Sequence, residues 1–311
     1  MSNGQQGNTD EVSRREFLAA GVGAGAGALL AGILPADGAA AEPAGPSGLE
    51  RAHAHNDYEH DRPLLDARAR GFKSVEADVW LIEGELLVAH ERALVRRERT
   101  LESLYLGPLR RAVAENGGSV YPGDPDHFTL LVDIKSEAEP TYRVLDEQLG
   151  RHEALLTTFG SGGVRGGAVT AVVSGNRPRE LMRKQRVRRA FHDGRLSDLG
   201  VDTDPSFTPL ISDNWTKNFV WQGVGPMPEA ERGKLRAIVT EAHGSGQRVR
   251  FWATPELPEA REAVWGELVS ARADHVNTDH LQELEVFLLR NDPNPTEPYV
   301  SWAGRAGGGR G

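Results

Sequence analysis

The chain has 311 residues, with 36 Lys and Arg against 45 Asp and Glu, a formal net charge of −9 and no cysteine. Disulfides, thiolate metal sites, a cysteine nucleophile and a lipid-modified N-terminal cysteine are therefore excluded. The acidic balance argues against partners that need a basic face, such as nucleic acid or an anionic membrane, and the length suits one α/β barrel or two smaller domains.

In chain order, residues 1–12 are polar and lack apolar periodicity. Ser13-Arg14-Arg15-Glu16-Phe17-Leu18 follows, then an uncharged Ala/Gly/Leu run to Leu34 and the small residues Ala39-Ala40-Ala41. That order resembles the twin-arginine export signal of bacteria. It predicts a signal peptide over 1–41, passage through the twin-arginine translocase, cleavage before Glu42 and a secreted location. The competing reading is a retained anchor, since 17–34 approaches the length of a bilayer span. The run is mostly Gly and Ala, too weakly apolar for a stable membrane anchor.

After a short linker at 42–49, apolar runs alternate with amphipathic stretches, the pattern of βα units and a parallel sheet. Strands are predicted at 49–55, 74–80, 128–135, 168–174, 189–192, 209–213, 248–252 and 274–278. Helices are predicted at 62–70, 101–115, 141–152, 177–184, 228–243, 258–271 and 280–291. The helix at 228–243 opens on Pro228 and acidic residues and stops at Gly244-Ser245-Gly246. Residues 83–90 read as an extra hairpin arm turning at Glu83-Gly84. Eight strands without that arm make the fold class α/β, a TIM (β/α)8 barrel over 50–302. Residues 303–311, rich in Gly and Arg, are expected to be a disordered tail.

Polar residues gather where the predicted strands end. The first strand ends in His53-Ala54-His55-Asn56-Asp57, the second carries Glu76-Ala77-Asp78, the arm ends in His90, and the third strand ends in Asp133-Ile134-Lys135. Side chains two apart on a strand share a face. So Glu76 pairs with Asp78, Asp133 with Lys135 and His53 with His55. Such pairs are costly to bury unless they share a partner. A hard divalent cation, Mg²⁺ or Ca²⁺, would be that partner for three carboxylates in a chain without thiols. Each pair alone also fits a structural role, as an ion pair or rim residues. His60 fits either the mouth or a capping turn, and Trp252 either a wall of the site or a core position.

His55, then Gly71-Phe72-Lys73-Ser74-Val75-Glu76-Ala77-Asp78-Val79, then Gly84-Glu85-Leu86-Leu87-Val88-Ala89-His90 resembles the opening motif of the glycerophosphodiester phosphodiesterases, in the PLC-like phosphodiesterase superfamily. Asp133-Ile134-Lys135 and Val276-Asn277-Thr278-Asp279 are similar to that superfamily's third-strand and last-strand motifs. The likeness is closer to the Altered inheritance of mitochondria protein 6 group, through His55-Asn56-Asp57-Tyr58, Trp80-Leu81 and Ser103-Leu104-Tyr105-Leu106. The resemblance implies that Glu76, Asp78 and Asp133 hold the metal, that His55 and His90 are the acid/base pair, and that Lys135 steadies the phosphate. Asn56 stands where glycerophosphodiesterases have Arg, and the Glu-Asn-Thr that follows there is absent. The implied activity is therefore that of a phosphoric diester hydrolase acting on a small-molecule or lipid-headgroup phosphodiester. Two alternatives compete: an amidohydrolase- or PHP-like metal hydrolase using His53-x-His55 with His192, and Asp274 or Asp279, or a barrel that binds a phosphorylated ligand without turning it over.

Overall fold

A computed structural model describes residues 48–300. Its strands are β1 (Leu49–Ala54), β2 (Phe72–Ile82), β3 (Glu85–Val88), β4 (Phe128–Ile134), β5 (Thr158–Gly160), β6 (Gly163–Arg165), β7 (Val169–Gly175), β8 (Ala190–Gly194), β9 (Leu210–Asn214), β10 (Arg248–Trp252) and β11 (His275–Thr278). Eight of them, β1, β2, β4 and β7 to β11, pair in parallel, and β1 pairs with both β11 and β2, which closes the ring. The expected TIM barrel is the fold, with each predicted strand in its place. The barrel begins at Leu49, inside the predicted linker. The predicted signal peptide and the Gly/Arg tail lie outside the described residues. Among the described residues, no helix is long and apolar enough to cross a membrane.

Alternation explains the barrel. On β2, Val75, Ala77 and Val79 are fully buried in the large core beneath the helices, while Ser74, Glu76 and Asp78 occupy the other face. On β4, Leu130, Val132 and Ile134 go to the core and leave Thr129, Leu131 and Asp133 on the second face. Leu131, Val172 and Leu210 form a separate small apolar cluster from those second faces. It fills the interior below the polar strand ends, so the polar groups stand on a packed floor.

The antiparallel arm β3 extends β2 beyond the barrel and turns at Glu83-Gly84, both with positive φ (51° and 85°). It carries His90 back over the mouth. Of the outer helices, α1 (Leu65–Ala69) is shorter than predicted: Pro63 and a left-handed Leu64 (φ 63°) delay its start. The predicted 101–115 helix begins as a π turn at Glu102–Leu106 before α2 (Gly107–Glu115). The small hairpin β5–β6 was not foreseen, because Gly160, Gly162, Gly163, Gly166 and Gly167 erase any readable alternation there.

Candidate active site

Glu76 and Asp78 lie on β2, and Asp133 lies beside Asp78 in the β2–β4 register. Their carboxylates converge, with one oxygen from each within 4.8 Å of the others. Asp78 Oδ1 is buried without a hydrogen-bond partner, while Asp78 Oδ2 receives Lys135 Nζ at 3.1 Å. Lys135 Nζ also lies 3.3 Å from Asp133 Oδ1. Glu76 Oε2 is held by Arg250 Nη2 at 2.5 Å, and Arg250 Nε donates to Asn277 Oδ1 at 2.9 Å. Three negative charges thus face two positive ones, an arrangement one positive charge short of balance.

The titration behaviour follows from that crowding. Burial opposes ionisation of Glu76, yet the Arg250 guanidinium holds its carboxyl well below the usual carboxylate range. Burial, helped by Glu76 and Asp78 and opposed by Lys135, pushes Asp133 up to about 6. Burial and the Glu76 charge also raise Asp78. Burial disfavours the Lys135 ammonium, but Asp133 and Asp78 overcome it and raise the group. Gly175 closes against this cluster: at its φ of +65°, a Cβ would stand 2.1 Å from Asp133 Oδ1.

The two histidines flank the carboxylates. His55 follows β1, and its Nδ1 meets Asp279 Oδ1 at 2.8 Å. Burial disfavours its imidazolium, but the hydrogen bond to Asp279 and the charge of Glu76 outweigh burial and raise its pKa. His90 Nδ1 lies 3.1 Å from both Asp78 Oδ2 and the Tyr58 hydroxyl. That hydroxyl is also 2.7 Å from Asp78 Oδ2 and from Asn56 Oδ1. In both histidines Nδ1 is engaged, which fixes the ring and leaves Nε2 for chemistry. A groove of about 670 Å³ opens beside His90, lined among others by Tyr58, His60, Ala89, Leu94 and Arg99. His60 serves both readings, since its backbone N–H also caps the turn at Asp57–Glu59. Trp252 is partly exposed at the end of β10.

Of the residues of the amidohydrolase-like alternative, only His55 and Asp279 meet, and they do so as a hydrogen-bonded pair outside the group with metal-binding spacing. His53 Nδ1 is tied to Ser74 Oγ at 2.6 Å, and burial together with Arg250 pushes its pKa down to about 3. Asp274 is bound to His243, and His192 accepts from Arg177. Among the described residues, the only carboxylate and histidine group with metal-binding spacing is Glu76, Asp78 and Asp133. Sequence reasoning gave Arg250, Asn277 and Tyr58 no role. The alternating Arg248-Val249-Arg250-Phe251-Trp252 was the available signal for Arg250, a cation on the face opposite the buried Val249 and Phe251.

His192 yields an expectation for stability. Burial, with Arg177 beside it, pushes its pKa down to about 4. The unfolded chain therefore binds the proton first, and stability is lost as pH falls from about 6.5 towards 4, at about 1.4 kcal/mol per unit. His192→Gln should flatten the acid limb of the melting temperature over that window. Parallel limbs for parent and variant would show that His192 is not held neutral.

Residues 49–193 match the model of the AIM6-like phosphodiesterase domain, and residues 248–282 match that of the Glycerophosphoryl diester phosphodiesterase family. The chain is 30% identical to Altered inheritance of mitochondria protein 6 of Eremothecium gossypii, over 77% of this chain and 69% of that protein. It is 29% identical to the Altered inheritance of mitochondria protein 6 homolog of Arthroderma benhamiae, over 72% of this chain and 81% of that one. A crystallised glycerophosphoryl diester phosphodiesterase from Parabacteroides distasonis, 11% identical, is similar over 79% of this chain with a TM-score of 0.47. The relatives correct the location read from the leader. They are fungal proteins of the Altered inheritance of mitochondria protein 6 group, which conflicts with a bacterial protein secreted by the twin-arginine route. An arginine pair before an Ala/Gly run is a short compositional pattern, whereas the likeness to the fungal proteins runs through most of the chain.

Proposed function

We infer that this chain, which belongs to the Altered inheritance of mitochondria protein 6 family within the PLC-like phosphodiesterase superfamily, hydrolyses a phosphodiester at the barrel mouth with a divalent cation and two histidines. The observation that carries the reading is the convergence of three carboxylates between His55 and His90, with Asp78 Oδ1 buried and unpartnered. An all-oxygen donor set one positive charge short of balance fits a hard cation, Mg²⁺ or Ca²⁺, and Glu76, Asp78 and Asp133 would hold it. When bound, such an ion would supply electrophilic stabilisation of the phosphoryl oxygens.

The protein's own groups do the remainder. Lys135 places an ammonium beside Asp78 and Asp133, where it meets the charge that builds on phosphorus-bound oxygens as water adds. One of His55 and His90 takes the proton of the attacking water through Nε2. The other returns a proton to the departing alcohol oxygen, so that the P–O bond breaks without expelling an alkoxide. Asp279 stabilises the imidazolium of His55 and fixes its tautomer. Tyr58 and Asp78 orient His90 in the same manner. The products are a phosphomonoester and an alcohol.

The test is turnover of bis(4-nitrophenyl) phosphate, glycerophosphocholine and phosphatidylinositol after chelation, with Mg²⁺ or Ca²⁺ added back. Metal-dependent release of product from at least one diester is expected. Metal-dependent binding of these diesters without turnover would replace the hydrolase with a phospho-ligand-binding barrel.

A further inference from the structure

The β7–β9 side of the mouth holds a cluster that the hydrolytic reading does not use. Asp193, fully buried on β8, accepts from Ser174 Oγ at 2.7 Å, from Ser212 Oγ at 2.7 Å and from Arg195 Nη1 at 2.6 Å. Arg195 Nη2 also reaches Ser174 Oγ at 3.3 Å. Ser174 lies directly beside Asp133 in the β4–β7 register, so this cluster adjoins the carboxylate centre.

Arg177, just beyond β7, differs from every cation around it. Its Nε donates to His192 Nε2 at 3.1 Å and its Nη1 to the Gly175 carbonyl at 3.1 Å, and both acceptors are neutral. Among the described residues it has no carboxylate in ion-pair contact. Arg177 and Arg195 hold the consecutive residues Gly175 and Ser174, and burial with the Arg195 charge lowers the pKa of Arg177 against the opposing charges of Asp193, Asp198 and Asp133. Glu76 has Arg250, Asp133 has Lys135 and Asp193 has Arg195; Arg177 is the cation left over. A half-buried guanidinium beside a second one is unfavourable unless an anion completes it. Gly175, whose carbonyl takes Arg177 and whose absent Cβ leaves room at Asp133, joins this cation to the reacting centre.

We propose that Arg177 and Arg195 form a subsite for a second oxyanion on the substrate, so that the enzyme prefers phosphodiesters whose alcohol part carries a further carboxylate or phosphate. This rests on the phosphodiesterase reading for its placement beside the scissile bond. It does not depend on that reading for the binding of an anion.

The test has two arms. In the first, chelated protein is titrated with inorganic phosphate by calorimetry; without metal the three carboxylates repel the ion, and binding reports the arginines. Arg177→Gln and Arg195→Gln should each weaken phosphate binding by about tenfold or more, the loss of a charge-assisted contact. Arg177→Lys, which keeps the charge and loses the fork, should retain part of the affinity even if the Gln variant fails to fold. In the second arm, turnover of 4-nitrophenyl butyl phosphate is compared with that of its 3-carboxypropyl and 3-phosphonooxypropyl counterparts. The parent should favour the anion-bearing diesters through KM, and Arg177→Gln should lose that preference, with the two counterparts telling carboxylate from phosphate. Equal loss on all three diesters would place Arg177 on the scissile phosphate and overturn the proposal, as would phosphate affinity unmoved in every variant. Absence of turnover on any diester, with phosphate binding lost in the variants, would overturn the hydrolase and leave the anion subsite standing.

Discussion

His55→Ala and His90→Ala should each lower turnover of a phosphodiester by a factor of about 10² to 10⁴, the usual cost of losing a proton-transfer group. Both should retain the rise in melting temperature that metal produces, because neither histidine belongs to the carboxylate group with metal-binding spacing. Geometry sharpens the expectation for His55. Asp279→Asn should reproduce a smaller part of the loss and lower the pKa seen in the pH profile, since the hydrogen bond to Asp279 raises the imidazole against burial. Tyr58→Phe should cost part of the rate that depends on His90 by removing one of its two orienting contacts. His53 is a different case. Held neutral between Ser74 and Glu76, it orients the carboxylate proposed as a metal ligand. His53→Ala should therefore act through metal affinity more than through rate at saturating metal. Wild-type rates for both His55→Ala and His90→Ala would remove the proposed acid/base pair.

How much of this was legible in the sequence depends on how far apart the partners lie. The barrel could be read because alternation is local. Val75, Ala77 and Val79 against Ser74, Glu76 and Asp78 already separate a core face from an interior face within one strand. His55, the Glu76–Asp78 pair, His90 and the Asp133–Lys135 pair stood out because each is a polar interruption at a strand end or on the arm. The opposite half of the site left no such trace. Arg250 and Glu76 are 174 residues apart, and only barrel closure brings them to 2.5 Å. Asp193 with Ser174 and Ser212 is likewise a cross-strand product, one polar residue from each of three strands. The leader shows the converse: a local pattern can be read clearly and still mislead about location when the relatives lie elsewhere.

Asp133→Asn should change stability in opposite directions with and without metal. In the chelated protein, burial and the charges of Glu76 and Asp78 push Asp133 up to about 6, against an ordinary value of 3.8. A carboxylate raised by folding favours the native state when protonated. Its stabilising contribution is full below about pH 4 and is lost as pH rises through about 6. Two units at about 1.4 kcal/mol each make the ionised group a cost of roughly 3 kcal/mol at pH 8. The neutral amide escapes most of that cost, less what it gives up by leaving Lys135 with Asp78 alone. Chelated Asp133→Asn should therefore melt higher than the chelated parent at pH 8 and no higher at pH 4. With metal the order should reverse. A cation bound only by the native state stabilises the parent by about 2.7 kcal/mol at a concentration of 100 times its Kd, and the variant, short of one ligand charge, should gain little. Thermal melting in four conditions, with and without metal at pH 4 and pH 8, reads every term. If the variant is less stable than the parent in chelator at pH 8, the carboxylate cluster is a satisfied structural network. If metal raises both proteins equally, Asp133 is not a ligand.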